Sequence, residues 1–238
     1  MTTATKSNES PPDGRADSFP IASRKHRMLM NRTMVALLAS LLLTAAADSP
    51  ITDLVRSLAR PAPDTVDFVE VRFSPLLEAP MTVSGTLEYL APGRLARSVA
   101  VPYEEETTID GENVVVRRPG EKDRRFSLRH APELRGLLGS FSAILAGDAG
   151  ALEEFFDLSL QRDAADESLW SLELAPHDAR LRKKIGTIRV SGLEKTVRCI
   201  SMGNSGETAS VILLGRATVE LPSPLTLDSL GGLCAEKP

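Results

Sequence analysis

SGTLEYLAPGRLARSVAVPYEEETTIDGENVVV, residues 84–116, is the stretch whose reading decides the fold class. Val83, Leu87 and Tyr89 share one face of a period-two segment with Gly85 between them, and Pro92-Gly93 then turns the chain. A second segment, 94–101, runs to a break at Pro102, a third, 104–110, ends at Asp110-Gly111, and a fourth covers 113–118. Pro-Gly and Asp-Gly between short alternating segments are hairpin signals, because glycine takes the positive φ of a tight turn without a Cβ clash. Outward from this stretch, 123–128 follows the Pro119-Gly120 turn. On the other side, Val69, Val71 and Phe73 alternate with Glu70 and Arg72. Regular strands joined by tight turns predict an antiparallel meander rather than βαβ units.

Helical spacing flanks and interrupts the meander. Ser49-Pro50 reads as N-cap and first helical residue, and Ile51, Leu54, Val55 and Leu58 fall on one face of a helix over 50–59. Behind Pro132, Leu134, Leu137, Leu138, Phe141 and Leu145 recur at helical spacing up to a Gly147 stop. Asp148 then caps a short helix through 155. Strands are expected again at 157–164, 169–176, 185–191, 196–202 and 207–220, with turns at Gly192 and at Gly203-Asn204-Ser205-Gly206. There is no repeat and no second core, so 48–238 is expected to be one domain of α+β class, mainly antiparallel β.

Of 28 Lys and Arg and 32 Asp and Glu, six and three lie in residues 1–47, leaving 22 basic against 29 acidic and a net charge of −7 beyond them. That acidity, with only 4% aromatics, argues against nucleic acid as a partner. Residues 1–27 are rich in Ser, Pro, Asp and Thr and are expected to be disordered, with Met28, Met30 or Met34 as alternative starts. Arg24, Lys25, Arg27 and Arg32 precede an apolar run from Met34, and Ala45-Ala46-Ala47 ends it before Asp48. These are the three parts of a secretory signal in order. The run of about 14 residues is short of the about 20 that a membrane span needs. Cleavage after Ala47 and release into the periplasm, with no lipidated Cys at the cut, are the expectation.

The strand with Gly85, the Pro92-Gly93 turn, the Pro102 break and the Ile109-Asp110-Gly111 turn, taken with the helix before and the two-helix insert after, resemble the periplasmic outer-membrane lipoprotein carrier family, in a divergent branch. The resemblance covers most of 50–220. It implies a half-open, curved antiparallel β-barrel with an apolar concave face closed by a helical lid. The implied function is that of a periplasmic carrier of lipid or lipoprotein acyl chains towards the outer membrane. Its implied partners are an inner-membrane transporter and an outer-membrane acceptor, and it implies no cofactor. In that family an Arg before the Pro of this turn holds the lid shut; here Ala91 stands before Pro92, so that latch is absent.

On that resemblance the cavity is lined by Val71, Phe73, Leu87, Tyr89, Leu95 and Val99 from the sheet and by Leu137, Leu138, Phe141 and Leu145 from the insert. Periodicity alone marks these residues as an apolar face that could equally be plain core. Arg97 shares parity with Leu95, Val99 and Val101. It either pairs with a nearby Glu or offers a guanidinium to a lipid head group. RRPGEKDRR, 117–125, is a solvated turn or a docking patch for anionic lipid. Trp170 alternates with Leu172 and Leu174 as a core or sheet-face residue, and Cys199 and Cys234 are either a disulfide or two free thiols. They lack metal-ligand spacing. His130 and His177 stand without a nucleophile motif, and Glu104, Glu105 and Glu106 alternate faces, so no catalytic constellation is expected. A non-catalytic scaffold subunit of a periplasmic lipid-transport or lipid-synthesis system is the alternative to a carrier, and a lipid-ester hydrolase using His130 a more distant one.

Overall fold

The computed structural model describes residues 49–203, 208–215 and 221–235, and the side chains of these except 132–134 and 137. All fall within one unit, Asp48–Pro238. The segments expected to be leader, export signal and cut site, and the turn expected at Asn204, Ser205 and Gly206, lie outside the described residues.

Helix α1 (Pro50–Ser57) starts where its cap chemistry requires: the Ser49 side chain accepts from the Thr52 N–H at 3.1 Å, and Pro50 gives up no needed donor. The meander follows as β1 (Asp64–Phe73), β2 (Met81–Ala91), β3 (Arg94–Val101), β4 (Glu105–Asp110), β5 (Asn113–Arg117) and β6 (Arg124–Ser127). Next come α2 (Pro132–Ala146) and α3 (Ala149–Glu153). Gly147 at φ 74° closes α2, and the Asp148 side chain caps α3 through the Ala151 N–H. The chain then runs through β7 (Phe156–Arg162), β8 (Leu169–Pro176), α4 (Ala179–Ile185), β9 (Ile188–Leu193), β10 (Thr196–Gly203), β11 (Ala209–Leu214) and α5 (Leu227–Ala235).

The eleven strands form one antiparallel sheet in the order β6-β5-β4-β3-β2-β1-β11-β10-β9-β8-β7. Its two edges, β6 and β7, are consecutive in the chain. The insert α2–α3 therefore carries the polypeptide from one edge to the other, and the sheet stays open between them. At β2–β3 the register shifts beside Gly85, where a Cβ would stand 1.8 Å from the Ser98 carbonyl oxygen, so only glycine permits the close approach.

Two expectations are corrected. The segment expected to open a strand at 185 is the end of α4, capped by Asp178, and β9 begins only at Ile188. Gly192 is a strand residue, not a turn: a Cβ there would meet the Trp170 ring at 2.4 Å, and the turn passes instead through Glu194 at φ 51°. Helix α5 has no helical signal in the sequence, because Gly231 and Gly232 interrupt its apolar spacing.

The main core lies where α1, α2, α3 and α4 meet one face of β7–β10. Leu54, Val55 and Leu58 of α1 pack there with Leu152 of α3 and with Leu172 and Leu174 of β8. Each such side chain, taken from water, contributes about 1.5–3 kcal/mol before entropy is subtracted. Trp170 sits in this core and donates Nε1–H to the Glu194 carbonyl at 2.9 Å. On the other face, α5 buries Leu230 against Val69, Val71, Val211 and Leu213, tied down by a disulfide between Cys199 of β10 and Cys234.

Candidate functional site

Strand register divides the sheet into an inner face, under α1–α4, and an outer face, under α5. Phe68, Glu70 and Arg72 of β1 stand opposite Gly85, Val83 and Met81 of β2, and Leu87 and Tyr89 stand opposite Arg97 and Leu95 of β3. All of these are inner. Val71 and Phe73, expected in the cavity, are outer: they join the cluster beneath α5. The reason is that Phe68, Val69, Glu70 and Val71 are all buried, so β1 is covered on both faces and its alternation does not reveal which face is inner.

The other expected lining residues separate into two kinds. Tyr89 and Val99 are fully buried, whereas Leu87 and Leu95 are half-buried on the inner face. Leu138, Phe141 and Leu145 of α2 are half-buried as well, while the same helix buries Ala143 and Ile144 in the main core. The Leu137 side chain lies outside the described residues. Ile109 of β4 pairs with Leu95 and extends the half-buried apolar strip towards Val116 and Phe126, the latter 42% exposed.

Into this strip projects a polar cluster whose Glu70 and Arg72 the sequence pattern assigns to the face away from the apolar residues of β1. Glu70 is only 7% exposed. Arg72 grips it with two bonds of 2.8 Å, Nε to Oε1 and Nη2 to Oε2. Arg97 donates Nη2–H to Oε2 at 2.7 Å, and the Ser210 hydroxyl donates to Oε1 at 2.8 Å. The Arg97 guanidinium also lies 4.7 Å over the Phe68 ring, a cation–π contact that sets its plane. Arg97 thus pairs with a Glu, as the first of its two readings has it.

Burial pushes the Glu70 carboxyl up, but the hydrogen bonds from Arg72 and Ser210 and the charges of Arg72 and Arg97 outweigh it and hold the carboxyl below the ordinary range. Glu70 is thus ionised at neutral pH. Its bonds raise the Arg72 guanidinium pKa further against burial.

The neighbouring 117–125 hairpin is a set of ion pairs, exposed except at the half-buried Glu105. Arg118 pairs with Glu105 at 2.7 Å and lies over the Tyr103 ring, Arg117 with Glu106 at 3.4 Å, and Arg125 with Asp123 at 2.7 Å. His177 meets Asp157 at 3.1 Å on the exposed surface, and His130 ends a short 3-10 turn after β6.

A family model for outer membrane lipoprotein carrier protein LolA-like chains matches residues 44–235. The chain belongs to this family. Its fold is similar to a LolA superfamily protein from Nitrosomonas europaea, at 13% identity and a TM-score of 0.37, over 75% of this chain and 96% of that one. It is also similar to a putative outer membrane lipoprotein-sorting protein domain from Vibrio parahaemolyticus, at 10% identity and a TM-score of 0.39, over 78% and 97%. LprF from Mycobacterium bovis is a third, at 15% identity and 0.32, over 76% and 100%. No curated protein matches the chain in sequence. In this LolA-like chain the residue before Pro92 is Ala91, and the inner-face guanidiniums come from β1 and β3.

Proposed function

We propose that this LolA-like protein is exported to the periplasm and carries lipid or lipoprotein acyl chains towards the outer membrane, holding them against the inner face without covalent chemistry. The observation that carries this reading is a half-buried apolar strip on that face. Leu87, Leu95, Ile109 and Val116 of β2–β5 are left half-buried outside the main core that the helices form with β7–β10, and Leu158, Leu160, Ile200 and Met202 at the margin of that core are half-buried as well. An acyl chain laid along this strip gains about 0.8 kcal/mol for each CH₂ it removes from water. Membership of the lipoprotein carrier family supports the same cargo class. The signal-like segment before Asp48 supports export, and no helix among the described residues is long and apolar enough to cross a membrane. Delivery to an outer-membrane acceptor, after loading from an inner-membrane transporter, completes the proposal.

Solvent extraction of the protein purified from the periplasm, followed by mass spectrometry, is expected to yield co-purified lipid in near-stoichiometric amount. A fluorescent acyl probe is expected to bind and to be displaced by natural lipids. Absence of both would end the carrier reading.

A further inference from the structure

The polar cluster on the inner face is unbalanced. Among the described residues Glu70 meets two guanidiniums, so the group carries one more positive charge than negative. Both Glu70 oxygens already accept bonds, from Arg72, Arg97 and Ser210. The carboxylate is therefore sealed at the base of the cluster. The cations above it are not sealed: the Arg72 side chain is 34% exposed and that of Arg97 24%.

These arginines are also pre-set for a ligand. Arg72 is fixed by its two-pronged grip on Glu70, and Arg97 by Glu70 on one side and the Phe68 ring on the other. Each keeps N–H donors beyond those bonds, since Arg97 reaches Glu70 through one nitrogen, and Arg72 reaches it through two and also meets Tyr103. Rigid planar donors with surplus charge suit an oxyanion, which a forked guanidinium engages with two parallel bonds. Their position decides which oxyanion. Arg97 stands opposite Leu87 and two residues from Leu95, so the cluster sits within the half-buried aliphatic strip.

We propose that Arg72 and Arg97 form an anion-binding site on the inner face that selects lipids with a phosphate or carboxylate head group. Glu70 is the positioning residue that holds the two cations together. The proposal rests on the carrier reading above and specifies its cargo class.

The test measures binding of amphiphiles with matched acyl chains to the full chain: a fatty acid, a lysophosphatidylglycerol and a neutral monoacylglycerol. Wild-type protein is expected to bind one or both anionic ligands at least about tenfold more tightly than the neutral one, as charge-assisted hydrogen bonds imply. The arm that gains identifies carboxylate or phosphate. Arg97→Met and Arg72→Met are each expected to bring the anionic affinity down to that of the neutral ligand, whereas a purely structural role would weaken all ligands alike. Glu70→Gln, which leaves one acceptor oxygen for two guanidiniums, is expected to narrow the preference, and an undiminished preference overturns the positioning role of Glu70. Should either arginine variant fail to fold, the wild-type preference and its narrowing at high salt still decide the matter. Equal wild-type affinity for anionic and neutral ligands overturns this proposal alone. A preference that survives both arginine substitutions does the same, and failure of every amphiphile to bind overturns the carrier reading with it.

Discussion

Arg97 of β3 donates a 2.7 Å hydrogen bond to Glu70 of β1, reaching across the intervening strand β2. The bond joins three strands on the inner face and competes with nothing in the backbone ladder. Arg72 makes the stronger hold on the same carboxylate, with two bonds to the single bond of Arg97. Removing either leaves Glu70 less compensated, at a cost graded by the bonds lost. Arg72→Met is expected to cost about 2–3 kcal/mol and Arg97→Met about 1–2 kcal/mol in chemical denaturation. Equal costs, or the reverse order, would show that Glu70 is not held mainly by Arg72.

The same carboxylate imposes a pH dependence. Its pKa is lower in the folded protein than the ordinary 4.5, so the unfolded chain takes up the proton first. The stabilisation is therefore complete above the unfolded value and is lost as pH falls through the folded one. Comparing wild type with Glu70→Gln, the stability gap at pH 7 is expected to shrink steadily once pH drops below 4.5. A gap that stays constant into that range would mean the carboxylate is not the source.

Helix α5 has its own test. The Cys199–Cys234 disulfide closes a loop of 35 residues and pins Leu230 over Val71 and Leu213. Cys234→Ser is expected to lower stability by about 2–4 kcal/mol, chiefly by enlarging the unfolded ensemble. Thermal melts with and without reductant should reproduce the loss in wild type and show none in the variant.

Two glycines should respond in opposite ways. Gly85→Ala drives a Cβ into the Ser98 carbonyl, so β3 must move or the β2–β3 pairing fail. The expected outcome is a loss of more than about 2 kcal/mol or of soluble protein. Gly139→Ala, on an exposed turn of α2 with open space around it, is expected to stabilise by about 0.5–1 kcal/mol. Circular-dichroism melts of the pair separate a packing constraint from a general intolerance of substitution.

Leu87 tests the proposed cargo strip. Because it is only half-buried, Leu87→Trp can be accommodated outward into the strip rather than by crushing the core. The expected result is an acyl-probe affinity reduced at least about tenfold with a melting temperature within a few degrees of wild type. Unchanged probe binding by the folded variant would place the acyl chain elsewhere.

Local chemistry was legible in the sequence wherever it is decided within a few residues. Ser49-Pro50 starts α1, Gly147-Asp148 separates α2 from α3, and Pro92-Gly93 and Asp110-Gly111 join β2 to β3 and β4 to β5, because caps and tight turns answer only to their own side chains. The family resemblance around 84–116 likewise agrees with the LolA-like match and the open antiparallel sheet. What the sequence left open was the sidedness of β1. Val69, Val71 and Phe73 are as apolar as an inner face should be, yet they lie under α5, while Glu70 and Arg72 face the inner strip. A period of two places alternate residues on opposite faces but says nothing of what covers either face. Here that was decided by elements far away in the chain: α5, held by Cys199–Cys234, buries the apolar side of β1. Arg97, 27 residues on, and Ser210, 140 residues on, supply the hydrogen bonds that let a carboxylate stay charged inside.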